Sequence, residues 1–129
     1  LYPQGARIGT PVPKVLTIIE AERALKGITP RSFSHEEIME RYMAAMVNEA
    51  CEVLREAVAL KPSDIDVTFV QGYGFPRFRG GPMKYADGYG LGKMLDNIHA
   101  YETEDPVFWN PSPLLVDLIA AGHTFEDLN

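Results

Sequence analysis

Residues 64–83 read DIDVTFVQGYGFPRFRGGPM, and this stretch decides the fold because it permits two incompatible structures. A strand followed by Gly-x-Gly would begin a dinucleotide-binding sheet, whereas a helix followed by a glycine-rich corner would belong to a helical domain. The third glycine of a dinucleotide site would fall where the chain has Arg77, and the neighbouring Pro76 has no N–H to offer a phosphate. These two residues argue against a nucleotide cradle in the corner.

The first part of the stretch, residues 64–71, carries conflicting signals. Ser63 stands three residues before Asp66, the spacing of a capping box in which an acidic residue replaces the usual Glu or Gln, and this predicts a helix start. Val67 and Thr68 favour a strand instead, because β-branched side chains lose rotamer freedom in a helix. The local sequence therefore leaves helix and strand open.

The rest of the chain decides between them, because its other patterned segments are helical. A single strand cannot form a sheet, so a consistent fold is all-α and requires a helix over 64–71. The longest pattern starts at the capping box formed by residues 34–37 and contains no Gly or Pro up to Leu60, which predicts one long central helix. Ser112 is predicted to cap the last helix. The other predicted helices cover residues 15–26, 82–87, 91–102 and 114–121.

The predicted domain organisation is simple. Residues 1–13 are rich in Pro and Gly without a sustained period, which predicts an extended lead-in or linker. Residues 14–129 are expected to form one compact multi-helix domain. Within it, we expect Phe75 and Phe78 to anchor the glycine-rich corner.

Composition excludes several classes of function. The formal net charge of −6 repels phosphate backbones, so we expect no nucleic-acid partner. No apolar stretch approaches the roughly 20 residues that span a bilayer.

Cys51 is the single cysteine and lies in a helical apolar pattern, which indicates a buried, inert thiol. The three histidines lie far apart without ligand spacing, so we expect no metal site.

Several spaced motifs resemble one known family. They cover residues 47–50, 59–66, 72–83 and 85–87, and they look like the C-terminal domain of 3-hydroxyacyl-CoA dehydrogenases. More narrowly, they resemble the second copy of that domain, at the end of a multifunctional fatty-acid β-oxidation protein. The resemblance extends over about residues 13 to 128. It implies an all-helical domain of a larger enzyme.

The resemblance also implies a division of labour in the parent protein. Such parents combine an enoyl-CoA hydratase region with a Rossmann domain that holds NAD and a His-Glu catalytic pair. A first helical copy closes over the acyl-CoA substrate and contributes an Asn, and the second copy packs against the first. This chain has no Rossmann domain, so we expect no cofactor here and no activity of the chain alone, although the parent would be an NAD-dependent dehydrogenase.

One position separates this chain from the catalytic copy. In that copy the functional Asn immediately precedes an Arg on the long helix, and a Glu-Ala pair follows. Here Arg41 and Glu49-Ala50 match, but the Asn position is Glu40. An ionised carboxylate only accepts hydrogen bonds, whereas an amide can also donate one. The resemblance therefore implies that this chain contributes no catalytic residue.

The remaining candidates are contact residues. Arg77 and Arg79 could clamp a CoA phosphate beside the aromatic rings of Tyr73, Phe75 and Phe78, or these residues could form an interdomain contact. Glu49 belongs to the same set, with pairing or capping of a neighbouring helix end as its alternative role.

Two alternatives to a supporting domain stay open: an acyl-CoA-binding module, and a module that forms a homodimer. The chain does not end in a Ser-Lys-Leu type of address, which favours a cytoplasmic, bacterial parent.

Overall fold

The computed structural model describes residues 4, 5, 7, 9, 10 and 12–129. Over these residues it contains α-helices, two short 3-10 helices at Arg77–Arg79 and Phe125–Leu128, and no strand, so the predicted all-α fold is confirmed. The helices are α1 (Pro13–Leu25), α2 (His35–Arg55), α3 (Pro62–Gly72), α4 (Pro82–Tyr89), α5 (Leu91–Glu102) and α6 (Pro113–Ala121).

The chain divides into two compact units, residues 1–33 and residues 34–129. The first unit contains α1, which buries none of its residues. The extended lead-in predicted for residues 1–13 lies partly outside the described residues, and Gln4 and Gly5 form a turn. The second unit contains α2 to α6.

Helix α2 is the centre of the second unit. It begins as predicted, because the Ser34 hydroxyl accepts a hydrogen bond of 3.0 Å from the Glu37 amide. One face of α2 is buried and packs against α4, α5 and α6. The buried residues of this face are Met43, Ala44, Val47, Ala50 and Cys51.

The predicted end of α2 near Leu60 is wrong, because the helix ends at Arg55. Ala57 adopts a left-handed conformation with φ of 56°. The Ala57 amide then donates to the Leu54 carbonyl and the Val58 amide to the Val53 carbonyl, each over 3.0 Å. This is a Schellman termination with alanine where glycine is usual, which explains why no stop signal stands in the sequence.

The contested segment is a helix, α3, but its first residue differs from the prediction. Lys61 rather than Ser63 precedes the first turn, and Asp64 rather than Asp66 reaches back, accepting a 3.2 Å hydrogen bond from the Lys61 amide. Pro62 occupies the first helical position, where its missing N–H is harmless. The shift leaves the carboxylate of Asp66 available for another helix.

The core of the second unit lies between α2 and the later helices. Trp109, in the loop before α6, packs its ring 4.9 Å from that of Tyr101 on α5. Phe125 is 1% exposed and attaches the carboxyl-terminal segment to the core. The largest fully buried side chains include those of Met83, Met94, Ile98 and Leu115.

Candidate functional site

The glycine-rich corner between α3 and α4 is held by one carboxylate. Asp66 accepts hydrogen bonds from the amides of Met83 at 2.7 Å and Lys84 at 3.1 Å, and so caps the amino terminus of α4. Gly81 has φ of 123°, and a Cβ atom there would collide with the Asp66 carboxylate. Gly80 is also left-handed, with φ of 81°. The paired glycines therefore allow the close approach of α3 to α4.

Partial burial affects the ionisation of this cap. Burial raises the pKa of Asp66 above its usual value, and this effect outweighs the two backbone hydrogen bonds, which lower the pKa. Because the folded-state pKa is raised, ionising Asp66 reduces stability, and the loss develops as the pH rises through that pKa.

The structure separates the residues predicted as contacts in the corner. Phe75 is 9% exposed and belongs to the core, as expected for an anchor. Phe78 is 85% exposed, so the prediction that it also anchors the corner is wrong. Tyr73 is exposed as well. The Arg77 guanidinium donates a hydrogen bond to Gln71, whereas the Arg79 guanidinium carbon lies about 5 Å from two aromatic rings.

A pocket of about 330 Å³ brings some of these residues together. Tyr73, Phe75 and Arg79 line it together with side chains from α2, α3 and α4. Arg77 and Phe78 are not among the lining residues. The corner thus divides the predicted contact set into a group that faces a concave surface and a group that does not.

Glu40 belongs to a chain of polar side chains that joins three helices. Its carboxylate accepts a 3.1 Å hydrogen bond from the Tyr89 hydroxyl of α4, and that hydroxyl accepts a 3.1 Å hydrogen bond from the Asn97 amide of α5. The Lys93 ammonium lies 4.3 Å from the centre of the Tyr89 ring. Glu40 is therefore a half-buried hydrogen-bond acceptor whose partner is the Tyr89 hydroxyl.

The adjacent Arg41 fastens α2 to the end of α5. Its guanidinium donates two hydrogen bonds to Glu104, at 3.0 and 2.7 Å, and one of 3.0 Å to Glu37. It also stacks 3.9 Å over the ring of Tyr101. Burial lowers the pKa of Arg41, but the two carboxylates more than offset this and raise it. Such a bidentate, stacked arrangement requires arginine rather than lysine.

Asn48 fixes the start of α6, a role that the sequence pattern did not predict. Its side-chain oxygen accepts a 2.8 Å hydrogen bond from the Ser112 amide, and its side-chain nitrogen donates one of 2.9 Å to the Asn110 carbonyl. Ser112 is the N-cap residue, as predicted, but its own side chain does not cap the helix. The two hydrogen bonds that the Arg55 guanidinium donates to Glu52 lower the pKa of that carboxylate below its usual value. The sequence did offer one signal for this role, because Asn48 is a polar side chain within an apolar helical pattern.

Glu49 lies apart from the corner, at the rim of a second concave surface. This groove of about 500 Å³ runs between α2 and α3 and is lined mainly by apolar side chains. Glu49 is exposed, and no hydrogen bond or ion pair joins its side chain to the residues that the structure describes. The apolar part of the groove consists of Met46, Ala50, Val53, Val58, Ala59, Leu60, Ile65 and Phe69.

The described residues bring together no group of three or more His, Cys, Asp or Glu side chains that could hold a metal ion. In the same part of the chain, no helix is both long and apolar enough to cross a bilayer.

Comparisons with known proteins agree with the geometry. The family described as 3-hydroxyacyl-CoA dehydrogenase, C-terminal domain, matches residues 38–126. A peroxisomal bifunctional enzyme of Danio rerio is 42% identical over 114 residues, which cover 87% of this chain and 16% of the relative. The chain thus spans about one sixth of the relative's length.

Two further relatives come from distant organisms. The fatty acid oxidation complex subunit alpha of Shewanella amazonensis is 35% identical over 126 residues, which cover 97% of this chain and 17% of the relative. A peroxisomal fatty acid beta-oxidation multifunctional protein of Arabidopsis thaliana is 35% identical, over 95% of this chain and 17% of its own length. This chain therefore belongs to the family of 3-hydroxyacyl-CoA dehydrogenase C-terminal domains.

Proposed function

We propose that this chain is the second, terminal helical domain of a multifunctional β-oxidation protein. There it supports the NAD-dependent oxidation of 3-hydroxyacyl-CoA without supplying a reacting group. The observation that carries the proposal is Glu40, whose carboxylate is bound to the Tyr89 hydroxyl within the chain of hydrogen bonds that joins α2, α4 and α5.

The chemistry of this position supports a structural role. A carboxylate cannot donate a hydrogen bond to a substrate carbonyl, and one oxygen of Glu40 already accepts one from protein. Removing Glu40 would leave the Tyr89 hydroxyl without its acceptor and would loosen the junction of the three helices, although Asn97 would still donate to that hydroxyl. The NAD and the catalytic pair would come from the Rossmann domain of the parent, and the acyl-CoA would bind between that domain and the first helical copy.

The apolar groove between α2 and α3 supports a packing role. It carries exposed apolar side chains, with Val58 at 75% and Leu60 at 81% exposure, and such a surface is typical of an interface. We propose that the preceding helical copy of the parent covers it. Self-association of the isolated chain through the same groove is the alternative. Sedimentation at several concentrations separates the two, because the alternative requires a dimer that Leu60→Glu abolishes and that Leu25→Glu, an equally exposed leucine on α1, leaves intact.

An activity assay tests the proposal directly. The isolated chain, mixed with acetoacetyl-CoA and NADH, is expected to oxidise no NADH, and Glu40→Asn is expected to create no activity. Turnover by the isolated chain that disappears in Glu40→Gln would overturn the proposal.

A measurement of stability tests the structural role of Glu40. Glu40→Ala, which removes the acceptor, and Tyr89→Phe, which removes the donor, should each destabilise the domain, and a double-mutant cycle should yield a coupling energy of about 1 kcal/mol. Glu49→Ala is the matched control, because its carboxylate has no partner among the described residues and no coupling to Tyr89 is expected. Strictly additive effects for Glu40 and Tyr89 would contradict the role.

The location of the parent stays a prediction. The names of two relatives, from Danio rerio and Arabidopsis thaliana, place those proteins in peroxisomes, and the third relative is bacterial. A cytoplasmic parent corresponds to the bacterial case, and a parent of eukaryotic origin would follow the other two.

A further inference from the structure

The pocket beside the glycine-rich corner is lined by aromatic rings from separate elements. Tyr42 comes from α2, Phe69 from α3, Tyr73 and Phe75 from the corner, and Tyr85 from α4. The ring centroids of Phe69 and Tyr73 are 5.3 Å apart, with their planes inclined at 36°. Its volume of about 330 Å³ lies at the lower end of the roughly 300–1,000 Å³ range of ligand pockets. The pocket has space for a small ligand whose flat ring packs among these side chains.

The charges around the pocket favour an anion. Its lining includes the cationic Arg79 but no Asp or Glu, although the whole chain carries a net charge of −6. No carboxylate among the described residues pairs with Arg79, whose guanidinium carbon lies 5.3 Å from the Phe78 ring and 5.2 Å from the Tyr85 ring. The groove between α2 and α3, by contrast, includes two carboxylates in its lining. The positive charge in the aromatic pocket is therefore available to a ligand.

The corner itself selects which arginine faces the pocket. Arg77 and Arg79 stand at the two ends of one short 3-10 helix, yet only Arg79 lines the pocket. Arg77 donates a 3.1 Å hydrogen bond to Gln71 at the end of α3. Both arginines are exposed, but only Arg79 lines the pocket, so Arg77 serves as the comparison for Arg79 in experiments.

We propose that this pocket binds a nucleotide, with a planar base packed among the aromatic rings and a phosphate on the Arg79 guanidinium. Side chains would hold the phosphate here, so this site differs from the cradle of backbone amides that Pro76 and Arg77 argue against. Aromatic side chains stack on bases through their π-faces, and a guanidinium binds phosphate through two parallel N–H groups. A free nucleotide and the nucleotide end of a CoA ester share this chemistry. The proposal goes beyond the supporting role of the domain and does not depend on it.

Calorimetry on the 129-residue chain tests the ligand class. AMP is expected to bind saturably, whereas adenosine, which lacks the phosphate, and ribose 5-phosphate, which lacks the base, should each bind at least about tenfold more weakly. CoA is titrated in parallel, and binding at least tenfold tighter than that of AMP would assign the site to CoA esters, whereas equal affinity would assign it to free nucleotides. Absence of saturable binding by both AMP and CoA would overturn the proposal.

Matched variants test the residues. Arg79→Gln should weaken AMP binding about tenfold, whereas Arg77→Gln should leave it within about twofold. Tyr73→Ala should weaken binding, whereas Phe78→Ala, which removes a similarly exposed ring outside the pocket, should not. Circular dichroism confirms that each variant is folded. Equal losses for both arginines would mean non-specific attraction to the corner and would overturn the assigned site.

Discussion

At the scale of single residues, one unusual conformation sets the length of the central helix. Ala57 is the one residue other than glycine, among those described, with a positive φ. A Cβ atom in the left-handed region costs roughly 1–2 kcal/mol, so the tertiary structure must hold this turn in place. The partly buried side chains of Val53 and Leu54, just before the turn, pack against the core and supply part of that restraint.

Replacing Ala57 by glycine should therefore stabilise the protein. We expect Ala57→Gly to raise the free energy of unfolding by about 0.5–1 kcal/mol, because relief of the strained φ exceeds the added entropy of the unfolded chain. Urea denaturation measures the change. Ala59→Gly is the control and should destabilise, since position 59 has an ordinary φ and its methyl group packs against the core. A loss of stability in both variants would refute the strain argument.

The thiol of Cys51 offers a probe of the same helix. Burial raises its pKa from 9.0 to about 12, and the nearby Glu52 carboxylate adds to the effect. Since the folded-state pKa is the higher one, the contribution of this group to stability is complete below about pH 9 and is lost as the pH rises towards 12.

Alkylation by iodoacetamide near neutral pH should accordingly be slow. The shift in pKa alone lowers the thiolate fraction about 1,000-fold, and burial of the sulfur slows the reaction further. Mass spectrometry should find Cys51 unmodified in the native protein and fully modified in concentrated guanidinium chloride. Rapid modification under native conditions would show that the buried face of α2 opens frequently.

At the scale of elements, the corner between α3 and α4 depends on the Asp66 carboxylate, which caps α4, and on two glycines, which let the helices approach closely. Val67 and Thr68 are exposed on α3, so their preference for strands is overridden by the burial of Pro62 and Ile65 in the same segment. The register of the cap differed from the prediction because Pro62 can start a helix and Asp64 can reach the Lys61 amide. The local sequence did not show that the helix would begin after Lys61, because Ser63 was an equally good N-cap residue.

A methyl group at position 81 should disrupt this corner. We expect Gly81→Ala to reduce the free energy of unfolding by more than about 2 kcal/mol, because it combines a strained φ with a collision against the Asp66 carboxylate. The matched control is Gly72→Ala at the end of α3, where a Cβ atom meets nothing within 4 Å. That variant should be neutral or slightly stabilising in thermal unfolding. Similar effects of the two substitutions would contradict the role of Gly81.

At the scale of the whole molecule, the buried core belongs to one of the two units. Every buried hydrophobic residue in the described chain lies within residues 34–129, from Met43 to Phe125. Helix α1, in the first unit, has 13 residues and buries none of them. An isolated helix of this length is marginal in water. The independent folding of the chain is therefore expected to reside in the second unit.

Truncation checks this expectation. Residues 34–129 expressed alone should unfold cooperatively, and the peptide covering residues 1–33 should show little helix by circular dichroism. A truncated chain that lacks a cooperative transition would mean that the first unit is required for the core to form.

The class of fold, the family and most helix boundaries could be predicted from the sequence alone. Caps such as Ser34, stops such as Gly122, and apolar periodicity act over a few neighbouring residues, so they can be recognised without the structure. The family motifs likewise follow one another along the chain. They also identified Glu40, which stands where the catalytic copy of the family has an Asn.

The contacts of the polar side chains, by contrast, depend on how the helices pack. The partners of Glu40, Asp66 and Asn48 lie 49, 17 and 64 residues away in the sequence, and no local pattern encodes such distances. Packing also assigned Phe75 to the core and left Phe78 exposed, although both follow the same glycines. The physical reason is that a hydrogen bond or a buried contact depends on which helices meet, and that is settled when the whole core forms.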